Sequence, residues 1–257
     1  NLNISVTAAN TDVTDGAVIT NIETITIRNT AATGGGIEAL SATGLEGVIA
    51  TGTGDVTVTN LASGAYFTAS GAIGGAVIAQ GYVATATSAV TNLTGAALGT
   101  VTLTGAGLTT VALNTTSAAA STAGVVDVAG AAAITLNAAG NTTVTSIATT
   151  STAATLTVTG AGKVNVGALD AGVTTVNAAG NTGGVTATLS AVTQSVTGGS
   201  GVDVITTNGV LSTGSVDAGA GTSDKLIVAD PTHVAATPGA KYTNFEVMQN
   251  LSGGATL

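Results

Sequence analysis

Apolar and polar residues alternate in short segments along most of the chain. Leu2, Ile4 and Val6 alternate with polar residues, and isoleucines recur among polar residues over 19–27. A period of two is typical of strands with one buried face. From residue 55 onward we predict strands at 56–59, 101–104, 111–114, 125–128, 134–137, 156–159, 164–166, 174–177 and 185–189.

Glycine-containing turns separate these segments at a nearly constant spacing. They are 22, 18, 21 and 20 residues apart, near Gly140, Gly162, Gly180, Gly201 and Gly221. Residues 137–142 also recur as 177–182. A repeat of this length indicates a solenoid, in which each coil buries its apolar edge against the next. We therefore predict an all-β protein, a parallel β-solenoid with coils of about 20 residues.

One pair of turns carries candidate chemistry. Residues 198–206 match the nonapeptide G-G-x-G-x-D-x-U-x, in which U is a large apolar residue. This pattern is typical of one turn of a calcium-binding β-roll. Its glycines let carbonyl oxygens converge, and its aspartate adds the charge that an all-oxygen calcium site requires. Residues 217–226 repeat the pattern about one coil later, with one extra residue before Asp224. The alternative is a pair of ordinary Gly/Asp turns.

Composition narrows the classes of partner. Thirteen acidic residues against four basic ones give a net charge of −9, which disfavours nucleic acid and anionic membranes and favours multivalent cations. The absence of cysteine excludes disulfides and thiolate metal sites. No apolar stretch reaches the length of a membrane-spanning helix, so we predict no membrane insertion.

Three further features leave alternatives open. Residues 242–248 match 19–25, which aligns Glu246 with Glu23; these side chains either complete cation sites or bond to backbone amides, and we favour the amides. Residues 61–98 hold three of the five aromatic residues; they fit an irregular excursion, a cap or a contact surface, but we favour aromatic side chains that fill a wider coil. Thr-x-Thr runs form either a ligand-binding ladder or, as we favour, a polar outer face.

The two Gly/Asp turns and the later Asn-Phe-Glu-Val segment, in a cysteine-free chain rich in Ala, Thr, Gly and Val, resemble calcium-dependent bacterial S-layer proteins. These belong to the RTX-like, type I-secreted class. The resemblance implies a secreted, extracellular protein of the cell surface, with calcium ions between the coils of a β-solenoid. Carried over by position, it implies carboxylate ligands from Asp203, Asp224 and Asp217, and carbonyl ligands around Gly199, Gly201, Gly219 and Gly221. It implies one to a few ions, because only one nonapeptide is complete.

The expected organisation follows from these patterns. Residues 1–54 are expected to end a preceding RTX-like turn and begin the solenoid, 55–197 to form its main body, 198–230 the calcium-binding clip, and 231–257 the start of the next module. The expected function is structural. Copies of the chain would assemble with calcium into a surface lattice, and a region outside this chain would anchor it to cell-surface polysaccharide. The alternative is a segment of a large RTX adhesin that binds a host, glycan or ice surface.

The sequence gives no pattern for an active site. The single histidine, His233, lies between two prolines in a predicted loop, and Asp127 and Asp170 fit solvated turn positions, although metal binding by them stays open. No G-x-S-x-G, H-E-x-x-H or phosphate-binding glycine loop with lysine occurs. We predict no catalytic residues and no enzymatic activity.

Overall fold

Short parallel strands, joined by tight corners, wind the chain into a solenoid. The computed structural model describes residues 1–8, 17–31, 34–39, 42–71, 76–235 and 241–251. The prediction of an all-β parallel solenoid is confirmed, with about ten coils of about 22 residues. Within the described ranges, no helix is long and apolar enough to cross a membrane.

Two long sheets run along the solenoid. Sheet A has twelve strands in the order β1 (Leu2–Val6), β3 (Thr24–Asn29), β6 (Gly47–Gly52), β8 (Tyr66–Ser70), β10 (Ser88–Thr94), β12 (Thr110–Thr115), β14 (Ala133–Ala138), β16 (Ala154–Gly160), β18 (Val173–Asn181), β20 (Ser195–Thr197), β22 (Val216–Asp217) and β24 (Tyr242–Thr243). Sheet B has eleven strands, β4 (Gly35–Glu38), β7 (Val56–Leu61), β9 (Ala76–Tyr82), β11 (Leu98–Thr104), β13 (Ser121–Asp127), β15 (Thr142–Ala148), β17 (Val164–Ala168), β19 (Val185–Thr188), β21 (Val204–Thr206), β23 (Lys225–Val228) and β25 (Val247–Asn250). The short strands β2 (Ile19–Thr20) and β5 (Ala42–Thr43) pair separately, and Pro231–Val234 form a 3₁₀ helix.

The register shows how regularly the coils stack. In sheet A, Leu136 pairs with Val158, and Val176 pairs with Val196, which in turn pairs with Val216. Equivalent residues here are thus 22, 20 and 20 positions apart. The spacing of the glycine turns in the sequence therefore agrees with the length of these coils.

The core is a continuous column of small and medium apolar side chains between the two sheets. Alternation along each strand places one set of side chains inside; in β16, for example, Leu156 and Val158 are buried while the threonines between them are not. Each fully buried Val, Ile or Leu contributes roughly 1.5–3 kcal/mol. Because Val, Ala and Thr are small, the core is thin, and its area comes from repetition along the axis.

The described part of residues 61–98 forms β8, β9 and β10 in register with their neighbours, and not an irregular excursion. Phe67 is fully buried and pairs with Val48 on one side and Thr91 on the other. Tyr82 is also buried. Phe67 and Tyr82 therefore fill the inside of a regular coil, whereas Tyr66 lies on the outer face of β8.

The sequence match between residues 19–25 and 242–248 reflects a shared corner. Asn21 and Asn244 both adopt left-handed backbone angles, with φ of 57° and 61°, and each comes just before a strand. Asparagine tolerates this conformation better than most residues. The strands that follow belong to different sheets, β3 to sheet A and β25 to sheet B. The match therefore identifies a corner conformation and not one fixed position in the coil.

The threonine runs do not form one unbroken ladder. In sheet B, Thr57 pairs with Ala79, Ala79 with Thr102, and Thr102 with Asp127. The hydroxyls lie on outward-facing positions, since the residues between them are buried. This arrangement fits a polar outer face better than a regular ligand-binding array.

Candidate functional site

The two glycine-rich turns lie one above the other at the corner between sheet A and sheet B. The first connects β20 to β21, and the second connects β22 to β23. Thr197 pairs with Asp217 before the corner, and Val204 pairs with Lys225 after it. The two turns are therefore adjacent in the stack, as their spacing in the sequence predicted.

Asp203 and Asp224 occupy an inward-facing position of this corner. The register places them in one column with Thr142, Val164 and Val185 of the preceding coils. Both aspartates are 0% exposed. A position that holds neutral side chains in three coils thus holds buried carboxyl groups in the next two.

Hydrogen bonds connect these acids into a ladder. Asp203 Oδ1 accepts the amide of Val185 at 2.6 Å, and its Oδ2 accepts the amide of Gly199 at 2.9 Å. Asp224 Oδ1 accepts the amide of Asp203 at 2.7 Å, and Glu246 Oε2 accepts the amide of Asp224 at 2.8 Å. We call Asp203, Asp224 and Glu246 the carboxylate ladder, because each binds the main chain of the coil before it.

The ladder contains charge that the described protein atoms do not fully satisfy. Asp224 Oδ2 is buried and has no hydrogen-bond partner. Burial, reinforced by the charge of Asp224, raises the pKa of Asp203, and the amides of Val185 and Gly199 only partly oppose this. An unpartnered buried acceptor destabilises a fold by roughly 1–3 kcal/mol, and by more when it is charged. A cation beside Asp224 Oδ2 would remove that penalty.

The structure does not bring all three expected aspartates together. Asp217 lies at the end of β22, where its Oδ1 accepts the amide of Gly219 at 2.9 Å and the side-chain amide of Asn244 at 2.6 Å. Across the described ranges, no group of three or more His, Cys, Asp or Glu side chains is placed to hold a metal. The candidate site thus has two carboxyl groups, from Asp203 and Asp224, and any further ligands would be main-chain oxygens.

The four glycines expected around the ion are required by close packing within the stack. A Cβ atom at any of them would overlap a neighbouring atom. The overlapped groups are the Asn181 carbonyl for Gly199, the Gly184 amide for Gly201, the Gly199 carbonyl for Gly219 and the Asp224 carboxylate for Gly221.

This packing has two consequences for the proposed ligands. The carbonyl oxygen of Gly199 already accepts the amide of Ala220 at 2.7 Å. The glycine pattern therefore has a cause in coil stacking that needs no ion. The specific indication of a cation is the pair of buried carboxyl groups at Asp203 and Asp224.

Asn181, which no sequence motif identified, shows how backbone amides and carbonyls of the same corner are hydrogen-bonded without a charged side chain. It is fully buried; its Oδ1 accepts the amides of Gly183 and Gly184, and its Nδ2 donates to the carbonyls of Gly160 and Gly162 at 3.0 Å each. An ionised aspartate can only accept. The only sequence signal was its place in the repeat 177–182.

Three further acidic candidates, Glu246, Asp127 and Asp170, bind the main chain. Glu246 follows the favoured alternative, since it caps a backbone amide. Asp127 accepts the amide of Ala129, and Asp170 accepts that of Gly172, both within their own turns. His233 Nδ1 lies 2.8 Å from the hydroxyl of Thr207.

Comparisons with known proteins identify no relative. No protein family, curated protein or solved structure matches the chain. The function is therefore inferred from the coil stacking, the buried acids and the resemblance in sequence.

Proposed function

We propose that this chain is a β-solenoid segment of a bacterial surface layer. Calcium stabilises the segment, and the segment assembles with copies of itself. The observation that carries the proposal is the pair of fully buried carboxyl groups on adjacent coils, one of which has an oxygen without a partner. Two carboxylates beside glycine-rich turns form an all-oxygen environment, and calcium prefers about six to eight such ligands.

The residues of the corner fit such an ion chemically. Asp203 and Asp224 would hold it, with carbonyl oxygens of the two turns as the other ligands. The ion would neutralise two buried charges, and it would connect the two coils that Asp224 already joins through the amide of Asp203. Because the corner has glycines where side chains would overlap its neighbours, main-chain atoms approach the acids closely.

Calcium binding to the folded chain alone would make folding depend on calcium. A ligand present at about 100 times its dissociation constant stabilises the folded state by about 2.7 kcal/mol. Low calcium inside the cell would keep the chain unfolded for export, and calcium outside would fold it. The net charge of −9 also opposes contact between copies, so calcium at exposed acids would favour assembly.

The outer face of sheet A supports the proposed assembly with copies of the chain. Asn92, Asn114 and Asn137 form one column, and Asn114 Nδ2 donates to Asn92 Oδ1 at 3.1 Å. In the neighbouring column the hydroxyls of Thr94 and Thr116 are 2.7 Å apart. A flat face of neutral, mutually bonded side chains can approach another protein without removing charges from water.

The proposal is tested with purified protein in calcium and in EGTA. We expect calcium to raise the thermal midpoint and to produce two-dimensional sheets in electron micrographs, and EGTA to abolish both. Unchanged stability and unchanged assembly in EGTA would exclude the calcium mechanism. Isolated rods that bind a glycan or a host surface, with no sheets at any calcium concentration, would favour the adhesin alternative.

A further inference from the structure

A second candidate site lies far from the carboxylate ladder, at the corner where the chain passes from sheet B back to sheet A. It is a cleft of about 400 Å³ lined by residues 45–46 and 62–66. Tyr66 of β8 forms one of its walls. Along sheet A, β8 and β20 are six strands apart, which corresponds to roughly 29 Å between this cleft and the glycine-rich turns.

The ring of Tyr66 is fixed on the outer face of sheet A. Tyr66 pairs with Gly47, and a Cβ atom on Gly47 would overlap three atoms of the ring. The ring therefore lies against the backbone of β6. Its hydroxyl is 2.9 Å from Thr24 Oγ1, one coil further along. Tyr66 is half-buried, so the side chain is anchored at both ends and still reaches the cleft.

Ser63 lines the cleft and belongs to a cluster of hydrogen-bonded hydroxyl groups. Ser63 Oγ accepts the amides of Thr87 and Ser88 at 3.1 and 3.2 Å. It also lies 3.3 Å from the Thr87 hydroxyl and 3.2 Å from the Ser88 hydroxyl. Three hydroxyl groups are thus held together beside the cleft.

Among the described residues that line the cleft, the one charged side chain is acidic. Glu46 is exposed, and its backbone amide donates to the carbonyl of Glu23 at 2.7 Å, which fixes its position at the corner. Among the described residues, no lysine, arginine or histidine lines the cleft. The electrostatics therefore disfavour phosphate, sulfate and other anionic ligands.

We propose that this cleft binds a neutral pyranose sugar. A pyranose has an apolar C–H face, which matches an aromatic ring, and a rim of hydroxyls, which match a carboxylate and fixed hydroxyls. Because Tyr66 is already held in place, less ordering opposes binding than for a free side chain. A single ring without a surrounding cage is a poor site for an organic ammonium ion, although Glu46 would attract one. The site does not depend on calcium binding at the carboxylate ladder.

Saturation-transfer NMR on the whole chain tests this proposal. The probes are methyl α-D-glucopyranoside, N-acetylglucosamine and tetramethylammonium, each up to about 50 mM, since a small open cleft supports millimolar affinity. We expect saturation of the C–H protons of at least one sugar. Tyr66→Ala should weaken its binding about ten-fold, whereas Tyr66→Phe, which keeps the ring, should retain most of it.

Two further variants keep the outcome decisive. Glu46→Gln changes only an exposed carboxylate, so it tests the site even where Tyr66→Ala fails to fold. Thr94→Ala, on the outer face of the next coil, is the matched control and should bind like the wild type. Glu46→Gln should weaken sugar binding, because it removes the carboxylate that would accept from the sugar hydroxyls. The proposal is wrong when neither sugar binds the wild type, when Tyr66→Phe binds as weakly as Tyr66→Ala, or when Glu46→Gln and Tyr66→Ala both leave sugar binding unchanged. Binding of tetramethylammonium without either sugar would also overturn it.

Discussion

Each aspartate in the described part of the chain accepts a main-chain amide, and its surroundings decide what else it does. Asp127 and Asp170 cap their own turns while remaining partly exposed. Asp203 and Asp224 cap the coil before them and are completely buried. An ionised carboxylate costs little free energy at Asp127 and Asp170, because water solvates it, but it destabilises the fold at Asp203 and Asp224, where water does not reach it.

Replacing Asp224 with Asn tests the role of that buried charge. In EGTA we expect Asp224→Asn to be as stable as the wild type, or more stable by about 1–3 kcal/mol, because it removes the unpartnered charged oxygen. In calcium we expect the variant to lose the stabilisation that the wild type gains. Urea unfolding in both buffers measures the two effects. Asp170→Asn is the control and should keep the calcium response; an equal response in Asp224→Asn would contradict the assignment.

The raised pKa of Asp203 predicts an unusual pH dependence. The folded state binds this proton more tightly than the unfolded state, so without calcium the free energy of unfolding should rise as pH falls from 7 towards the raised pKa of Asp203. It should stop rising near the ordinary aspartate pKa of about 3.9, where the unfolded chain also takes up the proton. Urea unfolding in EGTA across this range measures the slope. Asp203→Asn should remove this contribution; the same slope in the variant would exclude Asp203 as its source.

At the scale of the corner, buried amide side chains join the main chain of adjacent segments. Gln194 accepts the amides of Ser190 and Ala191 through Oε1 and donates to the carbonyls of Asp170 and Val173 through Nε2. Asn181 makes four equivalent bonds at the opposite corner. Each satisfies donors and acceptors together, which a carboxylate cannot do.

Replacing one of these buried amides with a carboxylic acid should bury an unsatisfied charge, as in the carboxylate ladder, but at a position where no cation is proposed. We expect Asn181→Asp to destabilise the chain by about 2–4 kcal/mol, because the carbonyls of Gly160 and Gly162 lose their donor and a charge is buried. Asn165→Asp is the matched control; Asn165 is exposed and only accepts the amide of Gly167. Urea unfolding should separate the two variants, and equal effects would show that burial at the corner is not decisive.

At the scale of the whole molecule, each coil contacts mainly the coils on either side. Stability in such an array is approximately a sum of coil and interface contributions, so a local change stays local. The calcium-binding clip expected at 198–230 lies within two sheets that continue on both sides of it. A cation bound there would therefore reinforce a section inside the stack.

Hydrogen exchange should reveal that local character. We expect removal of calcium, or the double substitution Asp203→Ala with Asp224→Ala, to increase exchange in residues 198–230 while residues 100–190 keep their protection. Mass spectrometry of peptic fragments provides the measurement. A uniform loss of protection along the chain would show that the coils unfold as one unit.

Alternation and turn spacing were sufficient to predict the solenoid because every coil repeats the same simple requirement. The stacking of the Asp203 and Asp224 turns also followed from their spacing. The sequence could not place Asp217, since one residue of register decides whether a side chain faces the core or the outer face. It also missed Asn181 and Gln194. Side chains at corners do not alternate between inward and outward positions as they do in strands, so a polar residue there can face either way.

The stacking of coils along one axis has a mechanical consequence. A pull along that axis loads the hydrogen bonds between coils in tension, so the solenoid would lengthen by releasing one coil at a time. A coil of about 22 residues frees roughly 75 Å of extended chain. The carboxylate ladder bonds successive coils to one another at one corner, so a cation bound there would make the sections around 203 and 224 the last to yield. In a layer built from such solenoids, local stretching would separate other coils before it separated the coils around 203 and 224.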